Sequence, residues 1–417
     1  MKKSLSFLYP LITTMLLLFS VQVAQAQLWN KIKGEVKNRA ENKIVNKAGN
    51  ATDKVLDNPG EVVKGNRSEN KPVAATENPI PKDVVASTGK EEAKSAVGSY
   101  KNYDFVPGDK IIFQPDLSTE ADAELPARFT VNIGNAEIHT YEGEKILHLN
   151  PDCNATISPL MNSDNYLPDQ YTLEFDMMYE NKEGDYFRYA SEFNVSFRKP
   201  EDKNYRGYPV YKFRINGVSQ ITFGDVNSGF IALPEKISAN EWHHVAIYIR
   251  KNIGKVYIDE YRVAATNNLP VGAGKVDLKA DRYGIKIRNF RLAAGGDDKY
   301  NKIVTDGKFI THGILFDVNK STIKPESMGA LNEIVKLMKD HADLKFEISG
   351  HTDSDGKPEA NLKLSQERAD AVKAKLVEMG IDDVRLTAKG FGATKPIDKN
   401  DNPEGKANNR RVEFVKI

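Results

Sequence analysis

The 417-residue chain carries 59 Lys and Arg against 58 Asp and Glu, a formal net charge of +1, so nothing in its overall charge draws it to nucleic acid. Hydrophobic residues make up 40% of the chain, enough for packed cores, and the length leaves room for two or three domains. The single cysteine, Cys153, excludes an internal disulfide and reads as a small buried apolar residue.

Met1, Lys2 and Lys3 precede an apolar run from Leu5 to Val23 and the small-x-small tripeptide Ala24-Gln25-Ala26. Together they predict a secretory signal over 1–26, cleaved after Ala26. A retained membrane anchor is less favoured, because Pro10, Thr13, Thr14 and Ser20 interrupt the run. No Cys follows the cleavage position, so no lipid anchor is expected, and no later stretch approaches the roughly 20 apolar residues of a spanning helix.

Over 27–57, Ile32, Val36, Ala40, Ile44, Ala48, Ala51 and Val55 recur every three or four positions among an excess of Lys and Arg. A thin amphipathic helical arm is expected, open to three readings: a coiled coil, a helix lying on an anionic membrane surface, or a solvated, partly disordered helix. Pro59, Pro72, Pro79 and Pro81 then interrupt a charged, aperiodic stretch over 58–102 that reads as a linker.

From 103 to 295 the pattern changes to short alternating runs between turn residues. Tyr171, Leu173, Phe175 and Met177 fall on one face; Phe193, Val195 and Phe197, and Val245, Ile247 and Ile249, repeat the pattern. Half-buried strands without long helices predict an antiparallel β-sandwich. The stretches EWHHVAIYIRKNIGKVYIDE and YGIKIRNFRLAAGG resemble the laminin-G or concanavalin-like jelly-roll superfamily. Sandwiches of that kind often bind or cleave glycans, which directs attention to Glu174, Asp176 and Glu180. A retaining glycosidase needs two carboxyls about 5–5.5 Å apart, whereas Glu174 and Glu180 on one strand are separated by about 20 Å at roughly 3.3 Å per residue. The three acids are therefore expected on the solvent face of their strand. His243 and His244 lack a matching acidic or cysteine cluster in the sequence, so no metal is expected.

The run from Gly295 to Thr305 reads as a second linker, and 302–417 as a final α/β domain. Phe309 to Asp317 is its expected first strand. Met328, Leu331, Ile334, Val335 and Met338 trace a helix; Phe346 to Gly350 alternates as a strand; the polar turn HTDSDGKPEA leads into a helix starting near Glu359; Val384 to Lys389 and Arg410 to Ile417 complete a βαβαβ order with a final strand in a mixed sheet. Asp353 follows the central strand, and Arg368 lies on the 361/364/368 side of the helix after it. A carboxylate and a guanidinium facing one cleft suit a ligand that carries both an ammonium and a carboxylate. An ordinary Asp–Arg ion pair capping the loop is the competing reading.

Several spacings in this region coincide with one family. They are G-H-T-D-x-x-G from Gly350, N-x-x-L-S-x-x-R-A-x-x-V from Asn361, R-L-x-x-x-G-F-G from Arg385, and N-N-R-R-V-E from Asn408. The region resembles the OmpA-like peptidoglycan-binding domain, and FDVNKSTIKPES is similar to the family's opening motif with Lys320 in place of a small polar residue. The resemblance implies a non-enzymatic envelope protein without cofactor, in which Asp353 and Arg368 grip the free amino acid end of diaminopimelate in the peptide stem of peptidoglycan. Thr352, Ser354, Asn361 and Leu364 are expected to line the same site, with Arg410 as a lesser candidate. It also implies residence at the periplasmic side of the outer membrane, although the middle strands lack the pattern of a transmembrane barrel. Two rival classes remain at this point: a wall-anchored glycan hydrolase with its active site on the sandwich, and an adhesin or glycan-binding bridge.

Overall fold

Alternation in the middle of the chain resolves into two antiparallel sheets packed face to face. The structure is a computed structural model that describes residues 103–150, 154–180, 192–225, 227–281, 284–296 and 299–417. The signal, the helical arm, the first linker and Cys153 lie outside the described residues.

One sheet has eight strands. Its order runs from Tyr261–Thr266 through Ile253–Ile258, His243–Arg250, Gln170–Tyr179, Ile285–Ala294 and Glu144–Leu149 to Ala136–Tyr141, with Lys110–Phe113 also paired to Ile285–Ala294. The facing sheet has seven, with Glu192–Arg198 between Tyr211–Asn216 and Lys275–Asp281 at its centre. Side chains at every second position meet between them. Tyr171, Leu173, Phe175 and Met177 interdigitate there with Phe193, Val195, Phe197 and Tyr211. The Tyr171 and Tyr211 hydroxyls, buried in that layer, hydrogen-bond each other at 2.6 Å, which satisfies the polar tips of two otherwise apolar residues.

The C-terminal domain follows with α1 (Lys299–Asp306), α2 (Met328–Asp340), α3 (Pro358–Glu378) and α4 (Pro403–Asn409). Its four-stranded sheet runs Lys308–Thr311, Val412–Lys416, Phe346–His351, Leu386–Gly392, and only the last pair is parallel. Phe309, Phe346 and Phe414 fill the centre of its core, the first and last stacked at 4.9 Å. The parallel pair needs a crossover, which α3 supplies at very short range. A Cβ on Gly350 would run into the Ser365 backbone carbonyl, so only glycine lets strand and helix approach this closely.

Three expectations require correction. The run from Gly295 to Thr305 is not all linker: Lys299–Asp306 is helical and buries Ile303. The first strand stops at Thr311 instead of continuing to Asp317. Beyond it the backbone bonds elsewhere, since the His312 carbonyl accepts from Arg291 and only an isolated bridge joins Phe316 to Ile323. The strand after α3 begins at Leu386, because Asp383–Arg385 forms a 3-10 turn whose first free N–H is capped by the Asp382 side chain.

The sandwich and the C-terminal domain belong to one compact unit. Tyr103 and Phe105, together with Ala246 and Tyr257 of the sandwich, are buried in the same apolar cluster as Met328, Leu331 and Phe414. The Phe105 backbone passes so close to Gly329 that a Cβ there would overlap its carbonyl. Polar contacts reinforce the seam. Ile111 N–H donates to Asn408 Oδ1 at 2.9 Å, and Asn408 Nδ2 returns a bond to the Ile111 carbonyl at 3.1 Å.

Candidate functional site

The strand Phe346–His351 ends at the turn that carries Asp353, and α3 starts five residues later with Pro358 at its first position, where a missing N–H costs nothing. Asn361, one turn into α3, is buried and donates from Nδ2 to the carbonyls of Asp353 (3.3 Å) and Asp355 (2.9 Å). That amide is committed to holding the loop. Of the turn's backbone donors, Thr352 N–H bonds the Gly392 carbonyl at 3.0 Å and Ser354 N–H bonds Asn400 Oδ1 at 3.2 Å. The Thr352 hydroxyl donates to the Asp353 carbonyl at 2.8 Å. Thr352, Ser354 and Asn361 thus fix the shape of the turn.

Asp353 and Arg368 line one cleft, together with Leu364, Asn361, Thr352 and Arg410. Among the described residues they do not pair with each other. Asp353 Oδ2 is bound by Arg410 Nη1 at 2.5 Å, and its Oδ1 accepts from Asp355 N–H at 3.1 Å. The capping ion pair therefore exists, with Arg410 in the place expected of Arg368. Arg368 is held from behind: Nε donates to the Lys320 carbonyl at 2.9 Å, Nη2 to that of Asp317 at 3.4 Å, and the guanidinium lies 4.9 Å over the Phe316 ring. Asn319, between the two carbonyls in the chain, has φ 57, a left-handed conformation that asparagine tolerates. Burial pushes the Arg368 pKa down and Arg410 adds to this, while Asp353 opposes it.

The opposite wall of the cleft was not foreseen. It consists of Glu174, Asp176, His244, Asn289 and Arg291 from the outer face of the eight-stranded sheet. The solvent-face expectation fails for Glu174, which is 3% exposed. Its carboxylate receives Arg291 Nη2 at 2.7 and 2.8 Å and Nε at 3.0 Å, and Arg291 Nη1 reaches across to the His312 carbonyl at 3.1 Å. Glu174 is buried because the C-terminal domain covers the face that alternation leaves polar. Asp176 accepts from His244 Nδ1 at 2.8 Å and from Asn289 Nδ2 at 2.7 Å. Burial raises the Asp176 pKa, but the hydrogen bonds from His244 and Asn289 and the charges of His244 and Arg288 outweigh it and leave the carboxyl below its ordinary value. Glu180 behaves alike: the hydrogen bond from His148 leads, Lys286 adds to it, and the carboxyl is held down to about 2. Neither acid is poised to give up a proton near neutral pH, as a general acid must be.

The two adjacent histidines do have acidic partners, brought from other strands. His243 Nδ1 lies 2.8 Å from Asp259, and His244 reaches Asp176. Among the described residues no group of three or more His, Cys, Asp or Glu is arranged to hold a metal ion. No helix among them is long and apolar enough to cross a membrane.

A family model described as OmpA family matches residues 315–410, a span that holds Asp353, Asn361, Leu364, Arg368 and Arg410. The C-terminal domain is OmpA-like, and the region before it is a β-sandwich. The chain is 37% identical over 104 residues to Probable lipoprotein YiaD of Escherichia coli, covering 25% of this chain and 48% of that protein. It is 46% identical over 100 residues to Outer membrane protein A of Bordetella avium, covering 24% of this chain and 51% of that one. It is 35% identical over 102 residues to Peptidoglycan-binding protein ArfA of Mycobacterium bovis, covering 24% and 31%. The chain thus spans about half or less of the length of these relatives.

Proposed function

We propose that this is a non-enzymatic cell-envelope protein that binds peptidoglycan through the diaminopimelate of the peptide stem and tethers the sandwich, at the periplasmic side of the outer membrane, to the cell wall. The observation that carries the reading is the pairing of one acid and two arginines at the mouth of the cleft. Asp353 has its carboxylate fixed by the loop, and Arg368 is anchored through Nε and one terminal nitrogen to backbone carbonyls. A carboxylate offers about four acceptor positions, so Asp353 has room for the ligand's ammonium beside Arg410 and Asp355 N–H. Arg368 and the 41% exposed Arg410 side chain supply cationic donors for the ligand's carboxylate. The peptidoglycan-binding protein ArfA, a relative by sequence, supports the same polymer.

Each charged contact contributes about 1.5–3 kcal/mol, or roughly 10- to 150-fold in affinity. Retention on a polymer comes from repeated engagement of many copies of the stem. Co-sedimentation with purified sacculi tests the reading. Arg368→Ala and Asp353→Ala are expected to lose most binding while melting close to the parent protein. Sacculi whose stems carry lysine lack the carboxylate for the arginines and are expected to retain the protein poorly. Undiminished binding by folded Arg368→Ala would sink the mechanism.

Against the hydrolase reading, Glu174 is locked to Arg291 and the Asp176 carboxyl is held below its ordinary pKa.

A further inference from the structure

The cleft is larger than the end of one amino acid requires. Its volume is about 510 Å³, within the range of sites that enclose a whole small ligand. Asp353, Arg368 and Arg410 account for its outer end. Four other residues that line it carry five buried polar atoms with no hydrogen-bond partner among the described residues: His244 Nε2, His312 Nδ1, Glu326 Oε2, and both ring nitrogens of His351. Buried polar atoms are almost always satisfied in native proteins, so a group of them around one cavity marks a place where something polar belongs.

Their chemistry is that of paired donors and acceptors. His312 is 4% exposed, and its Nε2 lies 3.1 Å from the Asn408 carbonyl, which fixes the proton on Nε2 and leaves Nδ1 as a bare acceptor. Burial, with Arg291 and Arg411 nearby, holds this ring neutral by lowering its pKa to about 4. His244 donates from Nδ1 to Asp176, and that carboxylate, with Glu174 and Glu326, raises the ring's pKa against the pull of burial, so the protonated ring offers Nε2–H as a donor. Glu326 Oε2 is a carboxylate acceptor, and the neutral His351 ring offers one donor and one acceptor. Donors and acceptors stand together, which suits a peptide backbone with its paired N–H and carbonyl groups. His244 comes from the sandwich, Glu326 from the turn before α2 and His312 from the seam between domains, so the inner pocket exists only where the two domains meet.

We propose that the inner end of the cleft is a second subsite, built jointly by the sandwich and the C-terminal domain, that binds the backbone amide groups, N–H and carbonyl, of the stem residues adjoining the zwitterionic end. This rests on the peptidoglycan reading above and adds to it. The sandwich is then part of the binding site and not only its cargo.

Calorimetric titration of the full chain with two probes, free diaminopimelate and the soluble tripeptide stem that ends in it, tests this. The tripeptide is expected to bind at least about tenfold tighter than the free amino acid. His244→Ala and Glu326→Ala are each expected to remove about three- to tenfold of that advantage, with the affinity for free diaminopimelate within about twofold of the parent. Arg368→Ala is expected to weaken both probes. Equal affinity of the parent protein for the two probes overturns the second subsite while leaving the outer one standing. Unchanged tripeptide affinity in folded His244→Ala and Glu326→Ala does the same. If the parent protein binds neither probe, the peptidoglycan reading fails and the subsite falls with it. Should His244→Ala fail to fold, Glu326→Ala and the parent's two affinities still decide the question.

Discussion

Arg291→Ala probes the seam between sandwich and C-terminal domain most directly. Arg291 is 8% exposed, forks onto the 3% exposed Glu174, and donates across the seam to the His312 carbonyl. Removing it leaves a buried carboxylate without a counter-charge, and breaking a buried pair from one side costs about 3–5 kcal/mol. For a cooperative body of this size each kcal/mol moves the melting temperature by about 2 °C, so a drop of roughly 6–10 °C is expected by scanning calorimetry. Removing both charges is far cheaper than removing one, so Glu174→Met combined with Arg291→Met is expected to recover most of the loss. A single variant melting within about 1 °C of the parent would refute the claim that this pair is sealed from water.

Arg368→Lys is expected to lose most sacculus binding, because an ammonium cannot reproduce the guanidinium's hold on the Lys320 and Asp317 carbonyls and fork onto a carboxylate at once; parent-like sedimentation counts against the role given to Arg368. Gly350→Ala forces a Cβ against the Ser365 carbonyl and is expected to destabilise by about 1–3 kcal/mol in urea titrations, with binding lost only where folding is lost. His312 has a folded pKa of about 4, below its unfolded value of 6.5, so its contribution is fully present above pH 6.5 and is lost as pH falls toward 4. His243 and His244, whose pKa values are raised against the pull of burial by Asp259 and Asp176, contribute in the opposite sense, fully below 6.5 and declining as pH rises. His312→Gln is therefore expected to lessen the stability lost between pH 7 and pH 5 in paired urea titrations, and an unaltered loss contradicts the assignment. A fragment starting at Lys302 lacks Tyr103 and Phe105, and its midpoint in urea is expected to fall below that of a fragment starting at Tyr103.

The central strand, turn and helix were legible because each carries a local signal: alternation up to Gly350, the turn residues after it, and an apolar stripe from Leu364 to Leu376. The helix begins at Pro358, one residue before the expected start. Alternation likewise located the sandwich strands and assigned Phe175 and Leu173 to its core correctly. Alternation reports only the two faces of one sheet, however, and carries no sign that the polar face is covered by another domain, so it assigns Glu174 to solvent although the residue is buried. The eight residues of Lys299–Asp306 bury one side chain, too little periodicity to separate a helix from a linker. Arg410 stands 57 residues from Asp353, and its place beside that carboxylate depends on how the final strand enters the sheet, a long-range fact with no local trace.

The reciprocal bonds between Ile111 and Asn408 have a geometric outcome. They join the two domains near the cleft, with Arg291 and the Tyr103–Phe105 segment alongside, so the sandwich does not swing on a tether. Its eight-stranded sheet is turned toward the C-terminal domain, and the seven-stranded sheet, about 10 Å further out, faces away. A molecule gripping a polymer at the cleft would therefore hold that outer sheet at one height and one tilt. Copies aligned along a single strand would present Lys212, Arg214 and Glu192 as a repeating row, all pointing the same way, with a spacing dictated by the polymer and not by the protein.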